Sequence, residues 1–200
     1  MIVSHAHQFI FIKTLKTAGT SIEVFLSQVC GEQDIVTPIL PHVEPHVARN
    51  HNSFYNHMPS VEVRKKVGRS VWDSYLKFCV ERNPWDKTLS YYHMQNHRQG
   101  GTLSLDAMID ARDFPINYPS YEDADGTLIV DRVLRYERLA DDLSDVFATL
   151  RIPFNGSLRV NAKSEPRTDR RPYQQVYTPE QANAVAKAFS REIEIHGYQF

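Results

Sequence analysis

Cysteine is nearly missing from this chain: Cys30 and Cys79 are the only two in 200 residues. Two thiols so placed build neither a disulfide framework nor a four-ligand zinc site, and they read as buried thiols in a reducing compartment. An excess of charge of one sign is missing as well. The 23 basic side chains against 24 acidic ones leave a net charge of −1, which removes any general attraction to nucleic acid or to an anionic membrane. An anion site must then be assembled from a few local basic groups. No apolar run approaches the roughly 20 residues of a membrane helix. The amino terminus lacks the basic-then-apolar pattern of a signal peptide. Low-complexity tracts, internal repeats and clear linkers are absent too. With 42% hydrophobic residues in a chain of 200, one globular domain with a real core is expected.

What the chain does have is concentrated between Phe9 and Glu23. The apolar run Phe9–Ile12 suits a buried strand. It leads into Lys16-Thr17-Ala18-Gly19-Thr20-Ser21, and Ile22 to Leu26 then show helical patterning. A strand, a basic glycine-containing loop and a helix make an anion site, because the first N–H groups of a helix lack internal partners and the helix dipole adds positive potential. Gly19 lets the backbone approach a phosphate, Thr20 and Ser21 supply hydroxyls, and Lys16 supplies a full charge. The Gly-Lys-Ser/Thr step of nucleoside-triphosphate loops is not there, since Lys16 precedes Gly19, so magnesium–ATP chemistry is not signalled. The plain alternative is an ordinary strand-to-helix turn with a surface lysine.

Apolar runs alternate with helical patterns along the rest of the chain, which predicts an α/β fold with a central, mainly parallel sheet flanked by helices. Strands are expected at 7–12, 75–81 and 128–134. Helices are expected over 20–29, 60–67 with Gly68 as the stop, 84–96, 104–111 and 138–150. Asn83 and Pro84 form a good cap and first position. Thr178-Pro179-Glu180-Gln181 reads as a capping box that starts a last helix, ended by Gly197. Residues 31–58, 112–126 and 153–177 read as irregular.

The loop Lys16–Ser21 resembles the 5′-phosphosulfate loop of sulfotransferases that use 3′-phosphoadenosine 5′-phosphosulfate (PAPS). A second stretch, Val80-Glu81-Arg82-Asn83-Pro84-Trp85 through Ser90-Tyr91-Tyr92, resembles the 3′-phosphate motif of that family. The likeness continues more weakly through Arg135-Tyr136-Glu137 and is closest to the branch with carbohydrate O-sulfotransferases. It implies a P-loop-like fold over residues 1–200, PAPS as donor and 3′,5′-bisphosphate (PAP) as product. The acceptor it implies is a hydroxyl compound, such as a sugar or a small molecule. It also implies that Lys16 meets the oxygen between phosphorus and sulfur, while Thr17 to Ser21 hold the 5′-phosphate and Arg82 and Ser90 the 3′-phosphate. Arg82 has the planar donor fork that suits phosphate; its plain alternative is a salt bridge. Ser90 lies about two turns beyond Asn83 and faces the same side. A cytoplasmic protein is expected.

The resemblance implies a histidine base between the two motifs, which makes His57 the candidate; some sulfotransferases use glutamate, which keeps Glu44 in reserve. His57 has a side chain suited to proton removal near neutral pH. His42 and His46 flank Glu44 at helical metal-site spacing, but Pro45 argues against a helix there, and no metal is expected. The stretch 163–173 reads either as a solvated loop or, by the resemblance, as a flap whose Arg167, Arg170 or Arg171 meets the 3′-phosphate. Trp85, Tyr91 and Tyr92 read as core or cleft wall. Two rivals remain: a P-loop-type small-molecule kinase, and a non-catalytic nucleotide- or glycan-binding module on the same fold.

Overall fold

The computed structural model of the protein describes residues 1–158, 169 and 171–200. The chain divides into two compact units, Met1–Glu81 with Pro119–Ala162 and Arg82–Tyr118 with Lys163–Phe200.

The first unit holds a five-stranded sheet. The strands are β1 (Ile2–Ser4), β2 (Phe9–Phe11), β3 (Ile35–Val36), β4 (Leu76–Glu81) and β5 (Arg132–Arg135), in the order β3-β1-β2-β4-β5. β1 pairs antiparallel with both β2 and β3, whereas β2–β4 and β4–β5 are parallel. The sheet is therefore mixed, which corrects the expectation of a mainly parallel one. Ile2 to Ser4 is too short to display a period of two, so the hairpin that makes the sheet antiparallel on this side leaves no pattern to read. The strand placed at 128–134 is also shifted. Leu128 only bridges Glu122, and the ladder to β4 begins at Arg132.

β4 is an interior strand, and Phe78, Cys79 and Val80 are wholly buried, as a strand covered on both faces requires. Helix α1 (Gly19–Ser27) buries Ile22 and Leu26 against the sheet. Helix α5 (Leu139–Thr149) brings Leu143, Val146 and Phe147 to the same core. Truncating one of these, for example Leu143→Ala, costs about 2–5 kcal/mol. Helix α2 (Ser60–Ser74) breaks at Gly68, whose φ of 79° is left-handed, and then resumes. The expected stop at Gly68 is thus a break, after which Trp72 packs inward.

The second unit is helical: α3 (Pro84–Arg98), α4 (Leu105–Asp110), α6 (Pro179–Ala188) and α7 (Ser190–His196). Its core gathers Trp85, Leu89, Ile109, Val185 and Phe189. The capping box at Thr178 and Gln181 forms. The last helix, expected to be continuous, is interrupted at Phe189 (φ −103°, ψ 22°) before Gly197 closes it in the left-handed conformation. No described helix is long and apolar enough to cross a membrane.

Candidate active site

The segment from Lys13 to Ala18 joins β2 to α1. Ile12 N–H still donates to Phe78 O (2.9 Å), so the sheet guides the chain into the turn. The Thr14 hydroxyl donates to Val80 O at the end of β4 and lies 2.8 Å from Thr17 Oγ1. Thr14 has one hydroxyl proton, and Val80 takes it, so Thr17 is the donor of the pair. The Thr17 hydroxyl is thereby engaged in the frame of the loop. Lys16 (φ 60°) and Ala18 (φ 61°) are both left-handed. Such residues cost of order 1–3 kcal/mol each and cluster at ligand-holding turns. Gly19 is required by proximity: a Cβ there would lie 2.7 Å from Lys13 Cγ.

Helix α1 opens without a side-chain cap. Ala18 makes no side-chain cap, and the first turn holds no acidic residue. A helix start of this kind, with no side-chain cap and no acid, carries positive potential. Ala18 and Ser21 line a cavity of about 580 Å³, whose other walls include Tyr136, Leu139, Leu143, Phe154 and Leu158. The lining is largely apolar and partly aromatic, with Ser21 and Ser157 among its hydroxyl-bearing members.

His57 sits just before α2, itself left-handed at φ 61°, with Nδ1 3.0 Å from Lys13 O. A carbonyl only accepts, so Nδ1 carries the proton and Nε2 keeps its lone pair. Burial, and then the Lys13 charge, lower the imidazole pKa from its ordinary 6.5 to about 4. His57 is therefore neutral at pH 7 and able to accept a proton at Nε2. Glu44 is on the surface, 82% exposed, beside His42 at 2.9 Å. His46 turns inward instead and bonds Thr37 O through Nε2 (2.9 Å), so the two histidines do not converge. Among the described residues no three metal-ligating side chains come together.

Lys13 and Glu23 went unremarked in the sequence. Both are buried, and Lys13 Nζ lies 2.6 Å from Glu23 Oε2, while the Met1 amine bonds Glu23 Oε1. Glu23 inside the apolar stretch Ile22–Leu26 was the available signal, since a carboxylate on a buried face implies a partner.

The second unit carries the other motif. Asn83 caps α3, accepting from Trp85 N (3.1 Å) and Asp86 N (3.4 Å). Its amide donates to Gln199 O (3.0 Å) and the Tyr173 hydroxyl (3.2 Å). Arg82 is only 12% exposed, and Nε and Nη2 both donate to Asp86 Oδ2, at 2.9 and 2.7 Å. Its fork is thus partly engaged by the helix it precedes. Ser90 is half-buried on α3. Trp85 is core, with Nε1 donating to Ala182 O (2.9 Å). Tyr91 bonds Asp113 and Tyr92 bonds Leu103 O. Arg171 grips Asp169, with Nη2–Oδ2 at 2.6 Å. Arg167 and Arg170 lie outside the described residues.

Lys16 to Ser21 are therefore gathered at one helix start, and His57 is tied to the same segment through Lys13. Arg82, Ser90 and Arg171 belong to the other unit.

No family model matches the chain. The fold is similar to that of mouse sulfotransferase SULT7A1, solved in complex with PAP, with a TM-score of 0.52 at 14% identity, covering 97% of this chain and 86% of that one. A sulfotransferase from Alicyclobacillus acidocaldarius gives a TM-score of 0.47 at 16% identity, covering 95% and 96%. The likeness to the mouse enzyme is one of fold: this is a sulfotransferase-like fold. In sequence, an uncharacterized protein of Archaeoglobus fulgidus is 31% identical over 113 residues, which make up 54% of this chain and 94% of that protein. The chain belongs to the same family as this archaeal protein.

Proposed function

We propose that residues 1–200 act as one PAPS-dependent O-sulfotransferase domain that sulfates a hydroxyl and releases PAP. The observation that carries this reading is the start of α1: uncapped, free of acid, preceded by Lys16 and opening on the 580 Å³ cavity. The sulfotransferase-like fold supports it.

PAPS supplies an activated sulfuryl group whose sulfur is attacked by the acceptor oxygen as the bond to the phosphate oxygen breaks. The residues of the chain position and neutralise. The N–H groups of Gly19, Thr20 and Ser21, with two hydroxyls, hold the 5′-phosphate. Lys16 offsets the charge that grows on the leaving oxygen. His57 Nε2 takes the proton of the acceptor. The cavity wall of Tyr136, Phe154 and Leu158 receives the base. Arg82 and Ser90 hold the 3′-phosphate, and Arg82 exchanges Asp86 for it. Arg171 and its undescribed neighbours Arg167 and Arg170 are further ligands of that phosphate. The proposed acceptor is a sugar hydroxyl.

Calorimetry with PAP, in parallel with ATP plus magnesium, separates this reading from a kinase: PAP binds without metal and ATP does not compete. Arg82→Ala weakens PAP by about ten- to hundredfold, the loss of a charged hydrogen-bond partner. Unchanged affinity in that variant removes Arg82 from the site. Transfer of labelled sulfate from PAPS to a panel of sugars separates an enzyme from a binding module.

A further inference from the structure

Lys13 meets three residues around the loop in the first unit: Gly19, Glu23 and His57. The stem of Lys13 lies under Gly19, whose Cβ position is 2.7 Å from Cγ, 3.3 Å from Cε and 3.5 Å from Cδ. Its ammonium reaches into α1 and meets Glu23 Oε2 at 2.6 Å. Its carbonyl receives the Nδ1 proton of His57 at 3.0 Å. Glu23 lies four residues after Gly19, one helical turn on, so it faces back toward the loop. Lys13 is 3% exposed and Glu23 wholly buried, which leaves water little part in the pair. A buried lysine is costly, and one whose three ends each make a specific contact is fixed in place.

We infer that Lys13, held by Glu23, is a positioning residue that locks the phosphate loop and the imidazole of His57 into one rigid register. Its stem sets the height of Gly19, and hence where the N–H groups of α1 point. Its carbonyl selects the imidazole tautomer with the lone pair on Nε2. The two tasks share one backbone, so a displacement at Gly19 is felt at His57, although the two residues are 38 positions apart in the sequence. The charged groups facing His57 are Lys13 itself, the Met1 amine and Glu23, and each acts on its proton affinity.

This inference rests on the sulfotransferase reading only for the identity of the phosphate ligand; the link between Gly19, Lys13 and His57 stands without it. The test is nuclear magnetic resonance titration of His57 in the full-length chain, together with PAP calorimetry. The variants are Gly19→Ala and the neutral, size-matched pair Lys13→Met with Glu23→Gln. In wild type His57 holds its proton on Nδ1 and titrates near 4. In Gly19→Ala, which places a methyl against the Lys13 stem, PAP affinity falls tenfold or more and His57 departs from its wild-type titration or from the Nδ1-protonated tautomer. The paired variant removes both members of the Lys13–Glu23 pair, leaves glutamine at position 23 to accept from the buried Met1 amine, and is the control for Gly19→Ala failing to fold; loss of the Lys13 charge raises the His57 titration. If PAP affinity falls while the His57 titration and tautomer stay as in wild type, the loop and the histidine are independent and the inference is overturned. An unshifted His57 in the paired variant also overturns it. If wild type does not bind PAP, the donor assignment fails, and the His57 response to the same variants still decides the clamp.

Discussion

The two helices that follow the two sequence motifs start in opposite ways. α1 begins at a left-handed alanine with no side-chain cap and no acid in its first turn. α3 begins at Asn83, whose carbonyl oxygen takes two N–H groups, and carries Asp86 in its first turn, itself held by Arg82. α6 is closed in the same manner by Thr178 and Gln181. At α3 and α6 the chain satisfies some of the orphan donors of the first turn with its own side chains. At α1, beside the cavity, the residue before the helix makes no such cap, and the proposed donor phosphate would sit there.

The comparison can be broken most severely by closing α1. Ala18→Asp sets a carboxylate at the helix start, and aspartate tolerates the left-handed backbone there. Repulsion of a phosphate a few ångströms away, at about 3 kcal/mol, lowers PAP affinity about a hundredfold. Calorimetry reads this directly, and affinity near wild type would show that the anion does not sit on α1.

The next effect concerns the titrating group beside α1. His57 has a folded pKa of about 4 against an ordinary 6.5. Between these values the unfolded chain binds a proton that the folded chain refuses, so stability falls as pH drops through the window. Above pH 6.5 the contribution is intact. The fall amounts to about 2–4 kcal/mol by pH 4. Chemical denaturation at a series of pH values measures it, and His57→Asn should flatten the slope relative to wild type. The same depressed pKa predicts that kcat/KM keeps its level on acidification well below pH 6, where an ordinary histidine base would have lost half its activity.

Lys16→Ala sharpens the contrast from the other side. It keeps the helix start and removes the charge proposed to offset the leaving oxygen as the S–O bond breaks. Turnover should fall by about 30-fold, while PAP, which lacks the sulfuryl group, binds within a few-fold of wild type. A collapse of PAP binding with turnover preserved would make Lys16 a ground-state anchor instead. The smallest effect is Asn83→Ala, which opens α3. It costs about 1 kcal/mol of stability, visible as a lowered Tm.

Much of this was legible in the sequence. β2, α1, β4, α3, α4 and α5 fall within a few residues of their expected spans, because each has an apolar pattern bounded by a capping or turn residue. β1 and β3 were not, since two or three residues carry no period, and with them went the antiparallel half of the sheet. The loop Lys16–Ser21 was readable as an anion site because its chemistry is local. Glu44 could be set against His57 only in three dimensions, where one lies on the surface and the other reaches Lys13 O. Lys13 was invisible for the same reason: its three contacts lie at Gly19, Glu23 and His57, and no spacing rule joins them.

The left-handed backbone at His57 sets heat resistance against the proposed role as base. Asparagine and glycine accept φ near 60° more readily than histidine, by about 1–2 kcal/mol for glycine. A selection for survival at high temperature would drift toward those residues at position 57, and a selection for the proposed sulfate transfer would restore the imidazole. The position thus offers two opposed evolutionary pressures on a single codon, and laboratory populations held under one or the other should part there first.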